Sequence, residues 1–410
     1  MNDNSFYHKW ARFALFNFAV LAAVGVLLRY KILFPLPIVD QKHLLHGHSH
    51  FAFAGWVSLA LYIAIICILQ PTEKLRKQLE WLLVAQQMSS YGMLFTFPFT
   101  GYAAGSIAFS TASIFVSYGF AWLVLKELLK RKQWTVEKKW ITAALLCNVV
   151  SSLGTFSLAY LMMTKNLRQD WYFGSVYFFL HFQYNGFFLF SIGAMLMHFL
   201  SKHFTAADTI TASQFFNSLV IALVPAWFLS LMWMRIPLWM YYSAVAGALV
   251  QLAALWFFIK LLLAQKNNLS AQVNPLVKWF WLVAGAAFTI KMLLQVLSAV
   301  PLLNMYAFGL RPVVIGFLHL VLLVFVSVFL MGYLFQEGFL TLHRATKKAA
   351  WLFLTGVLLN ELVLMMQGIA AISYSTIPYS NYLLLLTAAM ILMSLLVVFS
   401  SNCRTGNLRR

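Results

Sequence analysis

Long apolar runs separated by short polar connections alternate along the whole chain of 410 residues. A run of roughly 20 mainly apolar residues is long enough to cross the hydrocarbon core of a bilayer as an α-helix. Twelve runs reach this length, and they cover residues 13–34, 46–69, 81–102, 107–125, 140–162, 172–200, 215–233, 238–263, 279–297, 312–335, 349–369 and 382–399. The pattern therefore predicts an all-α integral membrane protein with twelve transmembrane helices, in which residues 1–410 form a single polytopic domain.

Lys and Arg are distributed unevenly between the two ends of the predicted spans. The N-terminal side and every second connection carry 21 of the 29 Lys and Arg residues, the opposite side carries 7, and Lys291 lies within a span. Because cytoplasmic connections carry the excess of Lys and Arg, this bias predicts that both termini are cytoplasmic. The net charge of +19 thus indicates topology in an inner (cytoplasmic) membrane, with the lipid bilayer and not nucleic acid as partner.

Four histidines occur within eight residues where the second span begins, in the stretch HLLHGHSHFAFAGW. They are His43, His46, His48 and His50. On an α-helix, offsets of three and seven residues place His43, His46 and His50 within ~60° of one another, while His48 points elsewhere. One helical face can therefore present a column of imidazoles.

Two later spans also carry a histidine near their outer ends. With the topology above, His50 in the second span, His181 in the sixth and His319 in the tenth all lie ~6–15 Å below the outer surface, at about 1.5 Å per residue. Neutral imidazole is a frequent ligand of iron, copper and zinc, and an axial ligand of haem iron. A lone histidine within a membrane is often an interhelical hydrogen-bonding group, but three at one depth favour a metal or haem site.

Two ionisable residues interrupt apolar spans. Lys291 lies thirteen residues beyond Lys278, and Glu361 lies thirteen residues beyond Lys348, so both fall near the predicted midplane. Ionised side chains are costly there and are usually paired or functional. We expect a buried pair of Lys291 and Glu361, with a proton path through both residues as the alternative.

The stretches VIGFLHLVLLVFVSVFLMG and FFLHFQYNGFF, together with the second-span histidines and the twelve spans, resemble subunit I of the haem-copper oxidase superfamily, which includes terminal oxidases and nitric oxide reductases. In that family the second and tenth helices supply the axial histidines of a low-spin haem. The resemblance implies a haem held by His319 and by His46 or His50, of which His50 lies deeper. No Cys-x-x-Cys-His motif is present, so we expect a non-covalent haem of the b type.

The chain departs from the family pattern at the oxygen-reducing centre. Phe317 stands where the tenth helix of the family has the first histidine of a His-x-His pair, the ligand of a high-spin haem. Asn185 stands four residues after His181, where the family has Tyr or Glu. The predicted seventh span, 215–233, lacks the family's histidine pair. A complete oxygen reductase is therefore not expected, and whether the protein is an oxidoreductase is left open.

Two arrangements of ligands remain open. In the first, the bis-histidine haem is the only centre; in the second, a copper, non-haem iron or zinc site lies beside it. Candidate ligands of that second site are His181, His46, His48 and His50, and candidate lining residues are Gln183, Tyr184 and Asn185.

The sequence supports two classes of function. The first is electron transfer, or handling of O2 or NO, at a haem on the outer side of the membrane, with quinone or a cytochrome as electron donor. The second is a proton-coupled transporter of a divalent metal or small solute, which would use the second-span histidines together with Glu361 and Lys291. A cation path would rather use carboxylates or helices broken by Gly and Pro, whereas the tenth span is an unbroken apolar run around His319, so the haem interpretation leads. A scaffold subunit with vestigial histidines is the third alternative.

Overall fold

The chain folds into helices connected by short loops. The computed structural model describes residues 3–131, 133–166 and 168–407, and these ranges contain no β-strand. Lys132, Arg409 and Arg410, which contribute to the charge bias, lie outside the described residues. The helices are α1 Asp3–Leu33, α2 Gln41–Leu69, α3 Glu73–Thr100, α4 Ala104–Lys130, α5 Val136–Met163, α6 Gln169–His203, α7 Ala206–Leu231, α8 Leu238–Ala264, α9 Lys266–Gln272, α10 Pro275–Leu297, α11 Pro301–Gly309, α12 Arg311–Gln336, α13 Arg344–Ile372 and α14 Ser380–Asn407.

Eleven of the described helices, all except α3, α9 and α11, are long and apolar enough to cross a membrane. The prediction of an all-α, multi-pass membrane protein is thereby confirmed. The third predicted span, 81–102, corresponds to α3, which has 28 residues but carries four buried polar residues in its middle: Gln86, Gln87, Ser89 and Ser90. Twelve spans and cytoplasmic termini stay predictions. The short helices α9 and α11 occupy connections for which the sequence predicted no helix.

Contacts divide the chain into two compact units. Unit 1 consists of Met1–Val124, Asn274–Trp281 and Ser327–Arg410, and unit 2 consists of Leu125–Val273 and Leu282–Val326. Within unit 1, α2 packs on α3 and α14 packs on both α1 and α13. Within unit 2, α7 packs on α8 and α5 packs on α6. Helices α10 and α12 each contribute residues to both units.

Three long helices change from α-helical to π-helical hydrogen bonding along part of their length. The π-helical segments are Ala52–Val57 in α2, Phe182–Phe188 in α6 and Leu320–Ser327 in α12. A π-helix pairs each N–H with the carbonyl five residues earlier, and it is rare in proteins. The apolar run around His319 lies within α12, and its hydrogen-bond register changes from Leu320 onwards.

Candidate functional site

All four clustered histidines lie on the first turns of α2, because this helix begins at Gln41 and not at the predicted residue 46. Asp40 caps the helix: its Oδ1 accepts hydrogen bonds from the backbone N–H groups of Lys42 at 2.8 Å and His43 at 2.9 Å. Such side-chain caps satisfy N–H groups that lack a helical partner. The bond from His43, followed by that from Lys42, holds the pKa of the Asp40 carboxyl below its usual value.

His50 and His46 face the aromatic residues at the C-terminal end of α3. The His50 ring stacks on Phe97 with ring centroids 4.4 Å apart, and its Nε2 lies 3.4 Å from the Tyr102 hydroxyl. His46 packs edge-on against the same Tyr102 ring, with centroids 4.8 Å apart. Phe97 and Tyr102 therefore line this face of α2. Neither residue was among the candidates predicted from sequence.

His43 lies on the same face, and His48 lies on another. A Cβ added to Gly101 would come within 2.5 Å of His43 Nε2, so this ring covers the turn after α3. His48 instead approaches Gly25 of α1, where an added Cβ would lie 3.4 Å from its Cε1. The predicted division of the four histidines between two faces is confirmed.

His181 is fully engaged by hydrogen bonds within unit 2. Its Nε2–H donates to the Leu223 carbonyl on α7 at 2.8 Å, and its Nδ1 accepts from Asn185 Nδ2 at 3.1 Å. The residue is only 2% exposed. His181 thus links α6 to α7, and it could bind a metal at Nδ1 only after losing the bond from Asn185.

The lining candidates around His181 also serve packing within unit 2. Gln183 Nε2 donates to Asn148 Oδ1 at 2.9 Å and to Ser151 Oγ at 2.8 Å, which ties α6 to α5. The Tyr184 ring meets Phe317 edge-on with centroids 6.3 Å apart. Phe317 is therefore packed against an aromatic ring at the position where the resembling family has a haem ligand.

His319 is hydrogen-bonded to the backbone of its own helix. Its Nδ1 lies 2.9 Å from the Ile315 carbonyl one turn earlier in α12. A carbonyl oxygen can only accept, so Nδ1 carries the proton and the lone pair is at Nε2. Ligating histidines are commonly oriented in this way by a hydrogen bond at the other ring nitrogen.

The two charged residues of the predicted midplane are both buried, one in each unit. Lys291 in α10 is 0% exposed, and its Nζ contacts Met292 Sδ at 3.7 Å and lies 5.7 Å from the Phe288 ring centroid. Glu361 in α13 is 5% exposed, and neither carboxylate oxygen has a hydrogen-bond partner among the described residues. Their pairing stays a prediction.

No group of three or more His, Cys, Asp or Glu side chains that could hold a metal ion occurs in the part of the chain that the structure describes. His48 faces a different helix from His46 and His50. The copper, non-haem iron or zinc site on His46, His48, His50 and His181 therefore stays a prediction from sequence.

The π-helical segments coincide with the histidines. His50 lies two residues before the segment in α2, and His181 and His319 each lie one residue before the segments in α6 and α12. These are the π-helical segments of the described ranges, and each follows one of the three histidines predicted at a common depth. Because π-helical turns occur frequently at functional sites, this coincidence marks the three positions independently of the sequence motifs.

No protein-family model matches the chain, and no curated protein matches it. The resemblance to subunit I of the haem-copper oxidases rests on the short histidine motifs described above.

Proposed function

We propose that the protein binds haem in the membrane and uses it for electron transfer or for handling O2 or NO. The observation that carries this proposal is the coincidence of three histidines with three rare π-helical segments. Single π-helical turns within α-helices are frequent at functional sites. Three unrelated interhelical hydrogen bonds would not require such a turn beside each histidine.

The individual residues fit the ligand role to different degrees. His319 has its lone pair at Nε2, and His50 lies in an aromatic environment formed by Phe97 and Tyr102. His46 is the alternative second-span ligand. His181 has both ring nitrogens engaged, so we place it outside the haem ligand set. The pairing of His50 or His46 in unit 1 with His319 in unit 2 is proposed from the family resemblance.

A bound haem would supply a reversible one-electron centre, and an iron site for a diatomic ligand if one histidine leaves. The protein's own contribution would be to orient two imidazoles and to surround His50 with the aromatic rings of Phe97 and Tyr102. Quinone within the bilayer or a cytochrome would be the electron donor.

The first test is a reduced-minus-oxidised optical spectrum of the purified protein, with iron and copper analysis. We expect a low-spin haem band that is lost in His319→Ala and in His50→Ala or His46→Ala. The band should survive in His181→Ala, the matched control on a third helix. A parent protein without haem after haem-replete expression would refute the proposal, and so would a band that persists in His319→Ala.

Glu361 favours the proton-coupled transporter as a second candidate function. A buried carboxyl whose oxygens have no hydrogen-bond partner among the described residues is costly within a membrane, and such groups commonly carry protons or ions. Against this candidate, the π-helical segment of α12 contains neither Gly nor Pro.

The transporter candidate is tested in proteoliposomes that contain a pH-sensitive dye. A zinc gradient should drive proton movement with the parent protein and not with Glu361→Gln. If Lys291→Met and Glu361→Gln instead alter the stability of the protein equally and no proton movement occurs with the parent, the two residues form a structural pair and the transporter candidate is rejected.

A further inference from the structure

The π-helical segment of α2 receives hydrogen bonds from buried side-chain amides of two neighbouring helices. Asn17 of α1 donates from Nδ2 to the Gly55 carbonyl at 2.6 Å, and Gln86 of α3 donates from Nε2 to the Ala54 carbonyl at 3.4 Å. Both carbonyls belong to the π-helical segment. A change from i+4 to i+5 bonding deprives carbonyls of their ordinary partners, and in a membrane these groups must be satisfied by other protein groups.

Asn17 is held in place by a network of its own. The same Nδ2 group donates to Gln87 Oε1 at 2.5 Å, and the Tyr91 hydroxyl donates to Asn17 Oδ1 at 2.7 Å. Asn17 is 0% exposed. Buried polar networks of this kind are costly to disrupt, because each lost partner leaves a desolvated group unsatisfied.

The aromatic ring of Phe51 packs directly over Gly55. A Cβ on Gly55 would lie only 2.7 Å from Phe51 Cε2, so the absence of a side chain at this position permits the contact. Phe51 also meets Tyr91 edge-on at 5.2 Å. The π-helical turn is thus enclosed by residues of α1, α2 and α3 that fit its irregular backbone.

The π-helical turn determines where the histidines point. It contains one residue more than an α-helical turn, so converting it into regular α-helix would rotate the outer part of α2 relative to its inner part by roughly one residue, ~100°. That rotation would remove His46 and His50 from Tyr102 and Phe97. The direction of the histidine face therefore depends on the π-helical turn and on the groups that satisfy its carbonyls.

We propose that Asn17 is a positioning residue: by donating to the Gly55 carbonyl it stabilises the π-helical turn of α2 and thereby keeps His46 and His50 against Tyr102 and Phe97. Gln86 supports the same turn from α3. The inference concerns the geometry of α2 and requires no bound ligand, whereas its consequence for haem binding rests on the proposed function.

Cross-linking between paired cysteines tests this proposal in the full-length protein. In a background in which Cys67, Cys147 and Cys403 are replaced by Ala, a short bis-maleimide would link the outer pair His46→Cys and Tyr102→Cys, whose native rings are 4.8 Å apart. The matched control is an inner pair, Tyr62→Cys in α2 and Phe120→Cys in α4. Their native rings are 3.9 Å apart. We expect Asn17→Leu to slow linking of the outer pair about tenfold and to leave the inner pair unchanged.

Two results would overturn the inference. Unchanged linking of the outer pair would mean that Asn17 does not position the histidine face, and an equal fall for both pairs would mean that Asn17→Leu loosens the whole unit. Tyr91→Phe removes the bond to Asn17 Oδ1 but keeps the donor to Gly55, so it should slow the outer pair less. If Asn17→Leu does not accumulate, Asn17→Ser tests the same loss, because its shorter side chain cannot reach the Gly55 carbonyl.

The optical spectrum separates this inference from the proposed function. In the protein with all histidines intact, Asn17→Leu should shift or weaken the haem band of the parent. A parent without haem, combined with slower outer-pair linking in Asn17→Leu, would reject the proposed function and leave the positioning role of Asn17 intact.

Discussion

Each of the three histidines at the predicted common depth is held by a different kind of contact. His181 bonds a backbone carbonyl and an amide, His319 bonds the carbonyl of its own helix, and His50 stacks on an aromatic ring. A buried histidine with both ring nitrogens hydrogen-bonded, as in His181, acts as a structural link between helices. Residue type alone does not separate these cases, because the partners come from other parts of the chain.

Gly101 shows how closely this part of unit 1 is packed around the histidines. The residue has φ +60° and ψ −140°, a conformation that is essentially restricted to glycine, and an added Cβ would meet His43 Nε2 at 2.5 Å. We expect Gly101→Ala to lower the free energy of unfolding by about 1–3 kcal/mol, measured by denaturation in detergent. Gly105→Ala is the control, because its Cβ would lie at an ordinary 3.6 Å from Thr96. Equal stability of the two variants would contradict the argument.

At the scale of elements, α2 and α3 are matched to one another. The polar residues that make α3 less apolar than the other long helices include Gln86 and Gln87, and these belong to the hydrogen-bond network at the π-helical turn of α2. The third predicted span thus carries polar residues because its neighbour has an irregular backbone. Gln86 also donates to Ser113 Oγ of α4 at 3.0 Å, which extends the network to a further helix.

We expect α2 to tolerate the deletion of one residue within its π-helical segment better than a deletion in its regular α-helical part. Removing Ala54 should convert the segment into regular α-helix and keep both ends of α2 in their present directions, because the extra residue is the one removed. Removing Ala64 from the regular part should rotate everything beyond it by ~100° and abolish folding. We expect the Ala54 deletion to accumulate and still to cross-link positions 46 and 102. If both deletions behave alike, the π-helical turn does not act as an inserted residue.

For the whole molecule, the charge bias and the polarity of α3 both bear on whether α3 crosses the membrane. The bias predicts that the connection before α2 is outside, that the start of α3 is inside and that its end is outside, which requires α3 to cross the membrane. Helix α3 is long enough to do so, but it is not among the eleven helices of sufficient apolarity. The four polar residues in its middle, Gln86, Gln87, Ser89 and Ser90, are buried within the protein, so they do not prevent a crossing.

Labelling with a membrane-impermeant maleimide tests this topology in the background without native cysteines. Ile38→Cys and Thr100→Cys should react in intact cells, and Lys74→Cys should react only after permeabilisation. All three side chains are exposed. Reaction of positions 74 and 100 from the same side would show that α3 does not cross, and the number of spans would then be eleven.

The sequence alone determined that this chain is an all-helical, multi-pass membrane protein and that His43, His46 and His50 share one face of α2. These properties follow from hydrophobicity and helical periodicity, which are local. The tertiary structure decided the rest: the π-helical turns, the engagement of both nitrogens of His181, and the hydrogen bond from Asn17 to the Gly55 carbonyl. Asn17 and Gln86 are visible in the sequence as polar residues within apolar spans. The sequence does not show which groups they bond. Their partners are carbonyls of another helix, and only packing brings groups so distant in sequence within hydrogen-bond distance.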